Sequence, residues 1–132
     1  MLEGVGVITQ NEKDEFLLQL RDAKTAILTN QWCLIGGSRE KGEDIEQTVR
    51  REVKEETNLD IVEMKYLKKF QFNSKEIGIF IAKVNTAKER IIKGEGKRIQ
   101  FFNKSDLINL IDSLNYTNPY LKIVKEFTED KV

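Results

Sequence analysis

The sequence predicts a mixed α/β domain, and three observations carry that reading. Short apolar or alternating segments recur between Val5 and Asn103. A central stretch, Asp44 to Thr57, has apolar residues at helical rather than strand spacing. Two C-terminal stretches show the same spacing behind capping residues. At 132 residues the chain can bury a proper core and predicts a single domain over 1–132. No repeat, low-complexity run or linker divides it.

Val5 to Thr9 read as a strand, Asn11 to Asp14 as a polar turn, and Phe16 to Arg21 as a second strand. Trp32 to Ile35 form a short apolar strand that runs into a turn at Gly36-Gly37. The helix from about Asp44 to Thr57 starts among acids, which suit the helix dipole, and stops at Asn58, which tolerates a left-handed cap. Ile61 to Phe72 predict a strand with Val62, Met64, Tyr66, Phe70 and Phe72 on one face. Asn73-Ser74 then turns it into Ile77 to Ala82. Residues 85–97 are polar and loop-rich, and Arg98 to Asn103 give another strand. Ser105 is the expected cap of a helix carrying Leu107, Leu110, Ile111 and Leu114. Asn118-Pro119 opens a last helix whose buried face is Tyr120, Ile123, Val124 and Phe127.

Composition excludes whole classes of chemistry. Net charge is zero, so no basic excess recruits a nucleic-acid polymer or a membrane surface. The amino terminus lacks a basic segment followed by a long apolar run, and no stretch is long enough to span a bilayer, so a cytoplasmic location is expected. With no histidine, Ser-His-Asp and Cys-His nucleophiles and His-containing zinc sites are impossible within the chain. The single cysteine, Cys33, forbids an internal disulfide and reads as a small buried apolar residue. A proton acceptor near neutral pH must then be a raised-pKa carboxylate, a lysine or metal-bound water.

The helix supplies the carboxylates. At about 100° per residue Ile45, Val49 and Val53 form a core-facing stripe. Glu52 and Glu56 flank that stripe, Glu55 lies further round, and Glu46, Gln47, Arg50 and Lys54 face solvent. A plain solvated helix would need no such placement. Acids at i, i+3 and i+4 are surface neighbours and repel unless a cation lies among them. Ionised groups at the edge of a core are costly unless paired or metal-bound. Oxygen ligands favour a hard divalent ion, Mg²⁺ or alternatively Mn²⁺.

Residues 37 to 59 resemble the Nudix box of the Nudix (MutT-like) hydrolases. That pattern is a glycine, five residues, a glutamate, seven residues, then Arg-Glu-apolar-any-Glu-Glu-any-Gly-apolar. Gly37, Glu43, Arg51, Glu52, Val53, Glu55, Glu56 and Leu59 stand at those places. Asn58 replaces the usual glycine, and Ile35 stands where proline is common. Asparagine is the best substitute at a left-handed position, so the turn is expected to survive. The resemblance implies an α/β/α sandwich around a mixed β-sheet and Mg²⁺-dependent hydrolysis of a nucleoside diphosphate linked to a further group.

It also implies residue roles. Glu52, Glu55 and Glu56, with the Gly36 carbonyl, would hold the metal, and Glu95 is a further candidate ligand or base. Glu52 is the candidate proton acceptor, its pKa raised by the neighbouring acids. Arg51 would orient the acids, Glu56 serves catalysis beside them, and Gly37 is structural. Glu43 would tether the loop through a charge-assisted bond to an arginine and support the metal at one remove. Arg21 is a candidate phosphate contact, Trp32 a base-stacking candidate at the strand edge, and Asn118 a candidate reader of a purine edge. Each has a plainer reading, as surface arginine, core anchor and helix cap.

The expected substrate is a small-molecule nucleotide, with a (d)NTP or oxidised (d)NTP first. ADP-ribose or a nucleotide sugar is the alternative. The ADP-ribose group's downstream proline is absent, since Ser74 stands there, and Lys75, Glu76 and Ile77 stand where the dinucleoside-polyphosphate group has a tyrosine. A non-catalytic nucleotide sensor is a second class, opposed by retention of every box acid. A purely structural domain would leave the acidic face decorative. A monomer or homodimer is expected.

Overall fold

Asn11 starts the topology. Its Oδ1 accepts from the amides of Lys13 and Glu15, at 3.0 Å each, and folds the chain back between β1 (Gly4–Gln10) and β2 (Phe16–Leu20). The computed structural model describes residues 1–21, 28–86 and 98–130. Further strands are β3 (Trp32–Cys33), β4 (Ile35–Ser38), β5 (Ile61–Phe72), β6 (Lys75–Val84) and β7 (Arg98–Phe102). Helices α1 (Ile45–Thr57), α2 (Lys104–Ser113) and α3 (Pro119–Asp130) complete the described elements.

The strands order as β3-β2-β1-β6-β5, with β4 on β1 and β7 on β2. Among the described residues only β1 and β6 run parallel, so the sheet is mixed. Every residue of β1 is buried, because both faces of the sheet are covered. Val5 and Val7 face Val49, Val53 and Leu59 of the α1 side. Ile8 faces Leu107, Tyr120, Leu121 and Val124 of the α2/α3 side. The result is an α/β/α sandwich around a mixed β-sheet.

Three local expectations change. Trp32 to Ile35 is not one strand: β3 pairs with the end of β2, whereas β4 pairs with Gly4–Val7 of β1. Strands β1 and β2 stay paired only at Thr9–Leu17 and Gln10–Phe16, and β4 enters the gap where they part. The buried Gln19 amide bridges the junction, its Nε2 donating to the Leu34 carbonyl at 2.9 Å. Gly36 and Gly37 therefore lie inside β4 and not in a turn.

The single apolar face expected of β5 is broken by irregularities between Ile61 and Glu63 and between Tyr66 and Lys68. Each extra residue reverses the alternation. Ile61, Met64 and Tyr66 accordingly lie on the α1 side, Phe70 and Phe72 pack on the other, and Val62 is exposed. The α2 cap is Asn103, not Ser105: its side chain accepts from Asp106 N at 2.7 Å. Asn103 lies one residue before the helix and reaches the third helical amide, a span Ser105, already inside the first turn, does not have.

Candidate active site

Helix α1 is fixed at both ends. Asp44 and Gln47 form a reciprocal capping box with two 2.8 Å bonds. Asn58 ends the helix at φ 65°, its amide donating to the Lys54 carbonyl at 2.8 Å. Val49 and Val53 are wholly buried, which sets the rotation and leaves Glu52 at the edge of the core, 9% exposed. Glu56 is half-buried, and Glu55 faces solvent.

Arg51 organises the acids. Its Nε donates to Glu43 Oε2 at 2.7 Å and its Nη2 to Glu43 Oε1 at 3.1 Å, a bidentate pair. Its Nη1 donates to Glu52 Oε1 at 2.9 Å and reaches both Glu55 oxygens at 3.4 Å. Glu40 joins at 3.2 Å, and the Ser38 carbonyl accepts from Nη2 at 2.9 Å. The Glu43 carboxyl also accepts from the Glu40 amide and Thr48 Oγ1. Glu43 is thereby held down from its ordinary 4.5 to about 2, first by the Arg51 hydrogen bonds. Arg51 is raised in turn, with Glu43 as the leading cause.

Glu52 shifts the other way. Burial pushes its pKa up, Arg51 opposes this, and Glu55 and Glu56 add smaller upward pushes. The neighbouring acids are thus a lesser cause than loss of water. Its carboxylate lies against Gly37, where any Cβ would collide with it, and a Cβ at Gly36 would collide with the Val5 carbonyl. The Gly-Gly pair is a cradle that lets the acid meet the strand.

Beyond this cradle opens a cavity of about 360 Å³. Gly36, Gly37, Ser38 and Glu52 line one side, and Phe72, Asn73 and Lys75 of the β5–β6 hairpin line another. Arg21, Leu28, Cys33 and Tyr120 also line it. Tyr120 reaches it because Gly6 has no side chain: a Cβ there would come 2.9 Å from its ring. Burial lifts the Tyr120 phenol to about 12, so it is a neutral hydroxyl.

A family model for the NUDIX domain matches residues 2–125. The chain belongs to the Nudix family. It resembles a MutT structure described for the psychrophilic fish pathogen Aliivibrio salmonicida and the mesophile Vibrio cholerae, at TM-score 0.76 and 23% identity over 99% of this chain and 98% of that one. It also resembles MutT from Methanosarcina mazei Go1, at 0.72 and 20% over 98% and 94%. A C. elegans Ap4A hydrolase matches at 0.68 and 19% over 97% and 99%. No curated protein sequence matches. The Nudix assignment carries diphosphate hydrolysis as its general activity.

Gly36 and the Nudix box residues Gly37, Glu43, Arg51 and Glu52 therefore form one connected unit. Among the described residues, no three His, Cys, Asp or Glu side chains converge as a metal-binding group. Arg51 holds Glu52 and Glu55, and Glu55 stands out in solvent. The donor chemistry nevertheless fits a hard ion: carboxylates on one helix face and a main-chain carbonyl, in a cradle free of side chains. Glu95 lies outside the described residues.

The other candidates separate. Arg21 lines the cavity. The Trp32 ring lies edge-on to Phe102 in the core, with the Arg98 guanidinium 5.8 Å from its centroid, and does not line the cavity. Asn118 donates to Gln31 Oε1 at 3.0 Å and the Trp32 carbonyl at 3.1 Å, and accepts from Leu121 N at 3.0 Å. Sequence reasoning did not single out Phe72, Lys75, Ser38 or Tyr120 as site residues. The Asn73-Ser74 turn signal fixes the first pair across the hairpin, whereas only the tertiary fold brings in the others.

Proposed function

We propose that this Nudix chain is a Mg²⁺-dependent hydrolase, with Mn²⁺ as a substitute, acting on a (d)NTP or oxidised (d)NTP to give the monophosphate and pyrophosphate. The observation that carries the reading is the buried Glu52 carboxylate, held by Arg51 at the wall of a nucleotide-sized cavity. Glu52, Glu55, Glu56 and the Gly36 carbonyl would hold the ion, which when bound supplies Lewis-acid neutralisation of the diphosphate charge.

The chain's own groups do the rest. Glu52, with its raised pKa, accepts the proton of the attacking water. Arg51 fixes that carboxylate through Oε1 and, through Glu43, ties the 39–43 loop to the helix. Arg21 gives a cation to the phosphates, and Phe72 and Tyr120, with ring centroids 5.5 Å apart, offer an apolar wall to a base.

A hydrolysis screen over NTPs, dNTPs, oxidised nucleotides, ADP-ribose and nucleotide sugars, with Mg²⁺, tests the proposal. Pyrophosphate release that is lost in Glu52→Gln supports it. Tight nucleotide binding without turnover in the native chain replaces it with the sensor reading.

A further inference from the structure

We propose that Lys75 reads the far phosphate of the substrate, so that the cavity prefers nucleoside triphosphates to nucleotides that lack that phosphate. This rests on the cavity being a nucleotide site and deepens that reading. Lys75 opens β6 and pairs directly with Phe72, the last residue of β5. Asn73 and Ser74 between them are both left-handed, at φ 51° and 64°. That two-residue turn sets the strand register and holds Lys75 and Phe72 opposite each other. Both line the cavity, so the hairpin places a cation beside the aromatic wall.

The ammonium leans toward the Nudix box. Lys75 Nζ lies 3.4 Å from Ser38 Oγ, and the Ser38 carbonyl is held by Arg51 at 2.9 Å. Lys54, Lys69 and Lys125 each have a carboxylate partner. Among the described residues, Lys75 makes no such ion pair, and its contact to Ser38 is long. A point charge with three donors, lining the same cavity as the acid that would activate water, suits a terminal phosphate. Arg21 lines the same cavity, so a polyanion meets two cations there.

The test measures binding rather than turnover, by calorimetry with Mg²⁺ present. The probes are an α,β-methylene nucleoside triphosphate and the matching monophosphate, on the native chain, Lys75→Met and Lys75→Arg. A charge-assisted contact predicts that Lys75→Met weakens the triphosphate analogue about tenfold and the monophosphate less than about twofold, with most of the loss recovered in Lys75→Arg. Equal weakening of both probes, no weakening, or no binding by the native chain overturns the proposal. Lys75-dependent binding in a chain that hydrolyses nothing sinks the proposed function and leaves this inference standing. Triphosphate hydrolysis with binding indifferent to Lys75 does the reverse.

Discussion

Gly37 and Glu52 lie so close that a methyl group on residue 37 would overlap the Glu52 carboxylate. The glycine is needed for what faces it, since it sits in a strand and not at a left-handed turn. Gly37→Ala should push the carboxylate away from the cavity wall and lower turnover by about 10²-fold. The overpacking should cost about 1–3 kcal/mol of stability. Steady-state kinetics beside a denaturant titration would show both. Native turnover in a folded Gly37→Ala protein would mean that the position of Glu52 is irrelevant to the reaction.

Glu52 itself should show opposite effects on stability and activity. Its pKa is raised in the folded state, chiefly by burial, so the protonated form suits the fold. The stability it gives is complete below its ordinary 4.5 and is lost as pH rises through the folded value. Glu52→Gln should therefore melt at or above the native temperature at pH 7 in chelator, with the gap closing in acid. Turnover should fall on the order of 10²–10⁴-fold. Glu56→Gln, which also removes a like charge from the helix face, should keep its stability and lose turnover. A clear drop in melting temperature for either variant would make that carboxylate structural.

Glu43 has the reverse sign. Its folded pKa of about 2 lies below its ordinary 4.5, so its contribution is complete above 4.5 and erodes as pH falls toward 2. Glu43→Gln should lower the melting temperature at neutral pH. The difference from native should shrink across that acid window and be absent below it. A pH-independent difference would place the loss in packing rather than in the Arg51 pair.

How legible this arrangement was depended on the range of the interactions. The α1 stripe of Val49 and Val53, the Asn58 stop and the Asn118-Pro119 start are set by neighbours a few residues away, and spacing reveals them. The grouping of Glu43 with Arg51 and Glu52 was readable because one helix and its leading loop carry them all. The split of β3 from β4 was not, because it arises from β1 and β2 parting company far along the chain. The face change in β5 depends on an extra residue at Leu67 that no composition rule marks. Tyr120 shows both regimes: helical spacing predicts its burial, but only its contact over Gly6 puts it at the cavity.

Asn118 is the sharpest case of one residue with two readings. A purine-reading amide needs donors and an acceptor turned toward ligand. Here the donors go to Gln31 and the Trp32 carbonyl, the acceptor takes the Leu121 amide, and the residue is 4% exposed. Removing it deletes the α3 cap and leaves a main-chain carbonyl at Trp32 without its donor. Asn118→Ala should then cost about 2–3 kcal/mol in a denaturant titration. Asn118→Asp can still accept from Leu121 but sets a carboxylate against two acceptors, so it should recover little of that loss. Neither variant should change the KM for a nucleotide by more than about threefold, because no binding contact of more than a few tenths of a kcal/mol is lost. A large rise in KM with stability unchanged would turn the residue back into a ligand contact.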